Sequence, residues 1–146
     1  MSHENAHSLK WISLYEDPLM AIIPKDFETP EDGVFPIEKL VEYPFIISAA
    51  GVDYDIHKYL KEAGVTPDIR FSSKDDLAIV SMVANHLGIS ILPKLTIEGC
   101  NNDIQALPLK SFASRELGIG IHTSSSLSPA AGCFIQTIQK VLPELT

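Results

Sequence analysis

The side chains of this 146-residue chain that could do chemistry are hydroxyls and small residues at two turns, rather than nucleophiles set beside bases. Ser48, Ala49, Ala50 and Gly51 follow the apolar run Pro44 to Ile47, and Ser72 and Ser73 follow Asp68 to Phe71 just ahead of a helical pattern. Turns of this composition offer backbone N–H groups and hydroxyls to a small polar or anionic ligand, and their small side chains leave it room. Each also has a plainer use. Serine is a favoured helix N-cap, and Ser-Ala-Ala-Gly suits an ordinary strand-to-helix turn. No Ser-His-Asp, Cys-His or paired-carboxylate arrangement accompanies them, so binding without catalysis is the expectation.

Other chemistry-bearing residues are less well placed. Asp53, Asp55 and His57 lie within five positions, but that spacing scatters them around a helix start, where acids are favoured by the helix dipole in any case. Without a second cluster to complete a coordination shell, no metal is expected. His86 and His122 have no nucleophile nearby and read as surface or packing residues. Thr123 to Ser126 lacks the glycines and lysine of a phosphate loop. Cys100 and Cys133 are far apart and without metal-ligand spacing, which suggests free thiols in a reducing compartment.

The elements that must position the two turns can be read around them. Arg70 to Pro93 compresses a strand, a helix and a second strand. Ser72 or Ser73 is expected to cap the helix, Leu77, Val80, Val83, Ala84 and Leu87 to form its apolar face, Gly88 to end it, and Ile89 to Leu92 to form a buried strand closed by Pro93. Such a crossover belongs to a parallel sheet, whose ligands sit beyond the carboxyl ends of the strands, where both turns fall. Upstream, Pro36 opens a short helix ending near Tyr43 and Pro44 to Ile47 forms a strand. A helix capped at Asp53 buries Ile56, Leu60 and Ala63 and stops at Gly64. Trp11 to Pro24 is extended, and Lys25 to Val34 and Thr96 to Asn102 are loops. Ile104 to Leu109 is an edge strand, Ser111 to Ser114 a crossover and Leu117 to His122 a strand. Ser128 and Pro129 start a last helix with the apolar face Phe134, Ile135, Ile138, Val141 and Leu142. Residues 1–10 are polar, patternless and expected to be disordered.

With 45% apolar residues the chain can bury a core. A net charge of −8 argues against gripping a phosphate backbone, which needs clustered Lys and Arg. No run reaches membrane-span length and the start lacks the pattern of a signal peptide, so a cytoplasmic protein without membrane contact is expected.

Met82, Val83, Ala84, Leu87, Gly88, Ile89, Ile91, Leu92 and Pro93 match a helix-and-strand pattern that resembles the effector-binding domain of LysR-type transcriptional regulators. Asp17 to Pro24 looks like that family's strand ahead of the hinge, and Pro36 to Ile47 like its following helix and strand. Arg115 to Ile119, Leu127 to Ala131 and Phe134 look like the returning strand and last helix. The likeness runs from about Trp11 to Leu142.

The resemblance implies an α/β, Rossmann-like domain of the type 2 periplasmic-binding-protein kind over 11–146. Its second half would be complete at 36–109, with parts of a first half and the hinge in 11–35 and 110–146. It implies a sensor rather than an enzyme, without a cofactor, binding a small effector such as a carboxylate or other anion and signalling through the geometry of a homodimer. DNA would be read by a helix-turn-helix module that nothing in this sequence matches. On the resemblance, Ser72 and Ser73 line the cleft, Ser48, Ala49, Ala50 and Gly51 form a second wall, and Pro93 lies near the hinge. The alternative is a stand-alone ligand-binding or dominant-negative dimerisation fragment. A small α/β enzyme using His86 or His122 ranks behind both for want of a nucleophile.

Overall fold

Strand residues with alternating apolar side chains feed two separate cores, one on each face of a sheet. The computed structural model describes residues 9–100, 103–111, 113–122 and 127–145. In chain order the elements are β1 (Leu9–Pro24), a 3-10 helix (Ile37–Glu42), β2 (Pro44–Ser48), α1 (Asp53–Glu62), β3 (Asp68–Ser73) and α2 (Asp76–Ala84). They are followed by β4 (Ile89–Pro93), the one-turn α3 (Lys94–Ile97), β5 (Ile104–Pro108), β6 (Ser114–His122) and α4 (Pro129–Leu145). Leu9 and Lys10, expected to be disordered, already belong to β1, and residues 1–8 lie outside the described residues. The chain divides into two compact units, Asp17–Arg115 and the remainder.

In the larger unit the strand order is β3-β2-β4-β1-β5. β2 is parallel to both β3 and β4, as two successive β-α crossovers require, and β1 is antiparallel to β4 and β5. Phe45 and Ile47 point into a core with Ile56, Tyr59 and Leu60 of α1. Ile46 points the other way, into a second core with Ile79, Val80 and Val83 of α2. Ile91 and Leu92 of β4 divide between the cores in the same way, as do Ile23 and Ile22 of β1. This unit is larger than the 36–109 half read from the sequence, because the second half of β1 is hydrogen-bonded between β4 and β5.

The helix faces differ from expectation in detail. On α1, Tyr59 is buried with Ile56 and Leu60, whereas Ala63 is exposed just past the helix end. Asp53 is the first helical residue rather than a cap, and Val52 at the cap position offers no side-chain bond. On α2 the buried residues are Ile79, Val80 and Val83, while Leu77 is 61% and Leu87 45% exposed. Leu87 lies beyond the helix altogether. Asn85 is the C-cap and His86 takes the left-handed position at φ 62°, with His86 N–H donating to Val83 O and Leu87 N–H to Met82 O, each at 3.0 Å. The ring of His86 in turn pairs with Asp26, its Nε2 2.8 Å from Oδ1.

Gly88 was expected to supply that left-handed turn. Its role is steric instead, because a Cβ at this position would collide with the carbonyl oxygen of Pro44, where the chain entering β4 passes the start of β2.

In the smaller unit β6 pairs with β1. Gly118 lies against the Ile12 carbonyl and the Trp11 ring with no room for a side chain. Trp11 Nε1 donates to Glu116 Oε1 at 3.0 Å, and bonds from Ser13 and Trp11 hold the Glu116 carboxyl below its usual pKa. Ser128 Oγ accepts from Ala131 N–H and caps α4 as the sequence suggested. Ile135 is buried on this helix and Ile138 and Leu142 are half-buried, but Phe134 is 60% exposed. The apolar stripe is therefore narrower than the five residues read from the sequence. The Thr123 to Ser126 segment lies outside the described residues.

Two substitutions test this packing by urea denaturation of the intact chain. Gly88→Ala is expected to cost about 1–3 kcal/mol through overpacking against β2, and Phe134→Ala less than about 0.5 kcal/mol because its ring is mostly in water.

Candidate functional site

The carboxyl ends of β2 and β3 finish level, Ser48 opposite Ser73, with Ala49 N–H donating to Ser73 O at 2.8 Å. β4 lies on the other side of β2 and ends in the buried Pro93, whose partner across the ladder is Leu19 of β1. The fully buried Asp17 fixes the chain just past Pro93. One of its carboxylate oxygens accepts Leu95 N–H at 3.0 Å, and the other accepts Arg115 Nε and Nη2, both at 3.0 Å. A buried carboxylate is tolerated only with such partners. The strand ends and the turns that follow them form one wall at a single end of the sheet.

The expected turn residues occupy that wall in different ways. Ser48 is fully buried and its Oγ donates to Asp76 Oδ1 at 2.6 Å. The same hydroxyl accepts Ala50 N–H at 3.4 Å, which shapes the turn toward Gly51 at φ 98°. Ala50 and Gly51 are exposed and Ala49 half-buried, so this turn is open on its outer side. Ser72 is exposed on β3 and Ser73 half-buried at its last position.

Neither serine caps α2. The cap is Asp75, whose Oδ1 accepts Leu77 N–H at 3.0 Å and Ala78 N–H at 3.4 Å. Ser73 acts one step earlier, its Oγ accepting Asp75 N–H at 3.0 Å and so setting the approach to the helix. The physical reason is length: β3 continues through both serines before the chain turns, which brings an aspartate to the position where a side chain reaches the first free amides. Two of the first amides of this helix are thereby held by the chain's own carboxylate.

Asp75 and Asp76 are the residues at the head of α2 whose roles sequence reasoning missed. Their signal was present, two acids at the start of an apolar helical run, but two serines just ahead offered an equally good cap.

The remaining candidates lie apart from the wall. Asp53, Asp55 and His57 sit on α1, and among the described residues no three side chains of metal-ligand type converge. His122 is an exposed residue at the end of β6. Cys100 and Cys133 are free thiols, the first half-buried and the second exposed. Two cavities of about 320 Å³ also lie elsewhere, one lined by residues including Phe27, Phe35, Lys39 and Tyr43, the other by Met20, Ile97 and Ile104 with their neighbours. No described helix is long and apolar enough to cross a membrane.

A sheet with parallel β-α units of this kind has a periplasmic-binding-protein-like α/β fold. The family model described as LysR substrate binding domain matches residues 1–143, and the chain belongs to that family. An uncharacterised HTH-type transcriptional regulator of Bacillus subtilis, YybE, is 24% identical over 132 residues, covering 89% of this chain and 45% of the regulator. Among solved structures, the regulatory domain of CcmR from Synechocystis PCC6803 in complex with 2-PG superposes with a TM-score of 0.80 at 22% identity, covering 92% of this chain and 67% of that one. The effector-binding domain of QuiR in complex with shikimate gives a TM-score of 0.81 at 18% identity, covering 98% and 69%. At these identities the two structures speak for the fold. The chain spans less than half the length of the curated relatives it matches.

Asp75→Ala is expected to lower stability by about 1 kcal/mol, the usual worth of an N-cap. The double replacement of Ser72 and Ser73 by alanine should cost less, and thermal denaturation of the two variants side by side checks the order.

Proposed function

We propose that this chain is the effector-sensing part of a LysR-type transcriptional regulator, in which Ser48, Ala49, Ala50, Gly51, Ser72 and Ser73 face a small metabolite and Pro93 marks the edge of the cleft. The observation that carries this reading is the level ending of β2 and β3 beneath two open turns, in a chain of the LysR substrate binding domain family. The solved relatives CcmR and QuiR, bound to 2-PG and to shikimate, support a small-molecule effector for the same fold.

The signal would pass through a homodimer in the cytoplasm, with DNA read by a helix-turn-helix module outside this chain. A ligand moves such an equilibrium only by its different affinity for two arrangements, since equal binding to both shifts nothing. In this reading the 36–109 half supplies one wall, and 11–35 with 110–146 supply the hinge and part of the opposite half.

Multi-angle light scattering followed by a thermal-shift screen of amino acids, small carboxylates and sugar phosphates tests the proposal on one sample. The expected result is a dimer whose midpoint rises with a ligand, and a loss of up to about tenfold in that ligand's affinity when Ser72 and Ser73 are both replaced by alanine, about 1.4 kcal/mol. A stable monomer indifferent to every compound would overturn it.

A further inference from the structure

The end of the sheet away from the strand-end wall holds a cavity of its own. β1 ends at Pro24, and the chain passes from there to the 3-10 helix and to Tyr43, the residue before β2. Between these segments lies a space of about 320 Å³, at the lower end of the roughly 300–1,000 Å³ of small-molecule sites. Its apolar lining includes the buried Ile23 and Phe35 and the half-buried Phe27 and Tyr43. The ring centroids of Phe27 and Tyr43 lie 5.1 Å apart.

The loop that walls this cavity is tied to the sheet by a side chain distant in sequence. Gln105 of β5 donates from Nε2 to the carbonyls of Lys25 and Phe27, each at 2.8 Å, and its Oε1 accepts the Thr29 hydroxyl at 2.6 Å. Lys25 N–H donates to Asp103 O at 3.0 Å and Phe35 N–H to Pro108 O at 2.9 Å. Phe27 and Glu28 therefore stand on backbone that is held before any ligand arrives, and such preorganisation lowers the entropy lost on binding.

The charged lining includes Asp26, Glu28 and Lys39. Asp26 is already engaged by the His86 ring. Among the described residues Glu28 and Lys39 form no ion pair, with each other or with any other group. An aromatic carboxylate would satisfy Lys39 and meet like charge at Glu28, and an aromatic amine would do the reverse. A zwitterion answers both.

We infer that this cavity is a second binding site, separate from the strand-end wall, for a small aromatic amino acid. The ring lies against Phe27, Phe35 and Tyr43, where aromatic pairs add to the burial of apolar surface. The carboxylate faces Lys39 and the ammonium faces Glu28. Both protein charges are exposed, so each sharpens selection modestly and the apolar lining supplies most of the affinity.

Amide NMR of the intact chain at fixed ionic strength tests this with four probes. They are L-phenylalanine, 3-phenylpropionate without the ammonium, phenethylamine without the carboxylate, and glycine without the ring. The amides to follow are those of Asp26 to Glu28, Phe35, Lys39 and Tyr43. Saturable shifts there with L-phenylalanine are expected, with no binding of glycine. The two single-charge probes should bind about threefold more weakly, the scale of one exposed ion pair. Glu28→Gln should abolish the preference over 3-phenylpropionate and Lys39→Met the preference over phenethylamine. Glu31→Gln and Lys58→Met, exposed and outside the lining, should leave both preferences intact. Equal binding of the single-charge probes, or no shift with any probe, would overturn the inference. Shifts confined to Ala49 to Gly51 and Ser72 to Lys74 would place the amino acid at the strand ends, which overturns the second site and leaves the effector reading standing.

Discussion

The structure depends on β2 lying between β3 and β4, parallel to both and buried on both faces. A parallel strand pair cannot be closed by a tight turn, so each pairing obliges the chain to make a full crossover helix. The two crossovers fall on opposite faces, α1 against Phe45 and Ile47 and α2 against Ile46. Both return the chain to the same end of the sheet. The level ending of Ser48 and Ser73, and hence the wall, follows from that geometry rather than from any local preference of the turns.

The close fit of the strand starts follows from the same arrangement. With β4 directly beside β2, the residue entering β4 passes the Pro44 carbonyl at a distance that only glycine permits. Gly88 is thereby withdrawn from the helix-ending role that glycines usually fill, and His86 occupies the left-handed position instead. A left-handed conformation is uncommon for a residue other than glycine, and the ring of His86 bonds to Asp26 at the surface. At the other end of β4 the buried Asp17 gathers Leu95 and Arg115, so that residues far apart in sequence hold the strand's exit in place. The wall is accordingly tied by hydrogen bonds where β4 leaves it and exposed at the Ala50 and Gly51 turn.

Much of this was legible in the sequence. The two β-α units, the stop at Gly64, the capping of α4 by Ser128 and the strand character of Pro44 to Ile47, Ile89 to Leu92 and Ile104 to Leu109 are all set by neighbouring residues, and the structure agrees with them. What went astray was one turn in length or one face in angle. β3 runs on through Ser72 and Ser73, which transfers the cap to Asp75. The buried stripe of α2 is Ile79, Val80 and Val83 rather than one that includes Leu77 and Leu87, because nearly every position of that helix is apolar and periodicity had little contrast to work with. α4 likewise buries Ile135 and leaves Phe134 in water, a choice between adjacent residues that no spacing rule makes.

The sequence by itself therefore determined the α/β class, the order of most elements and the place of the two turns, since these rest on hydrogen bonding and side-chain contrast within a few residues of each other. Only the tertiary structure decided the character of the site. The hydroxyl of Ser48 meets the carboxylate of Asp76 across 28 positions, and Asp17 meets Arg115 across 98. Pairings at such separations arise from which strands lie side by side, and no local pattern in the sequence announces them.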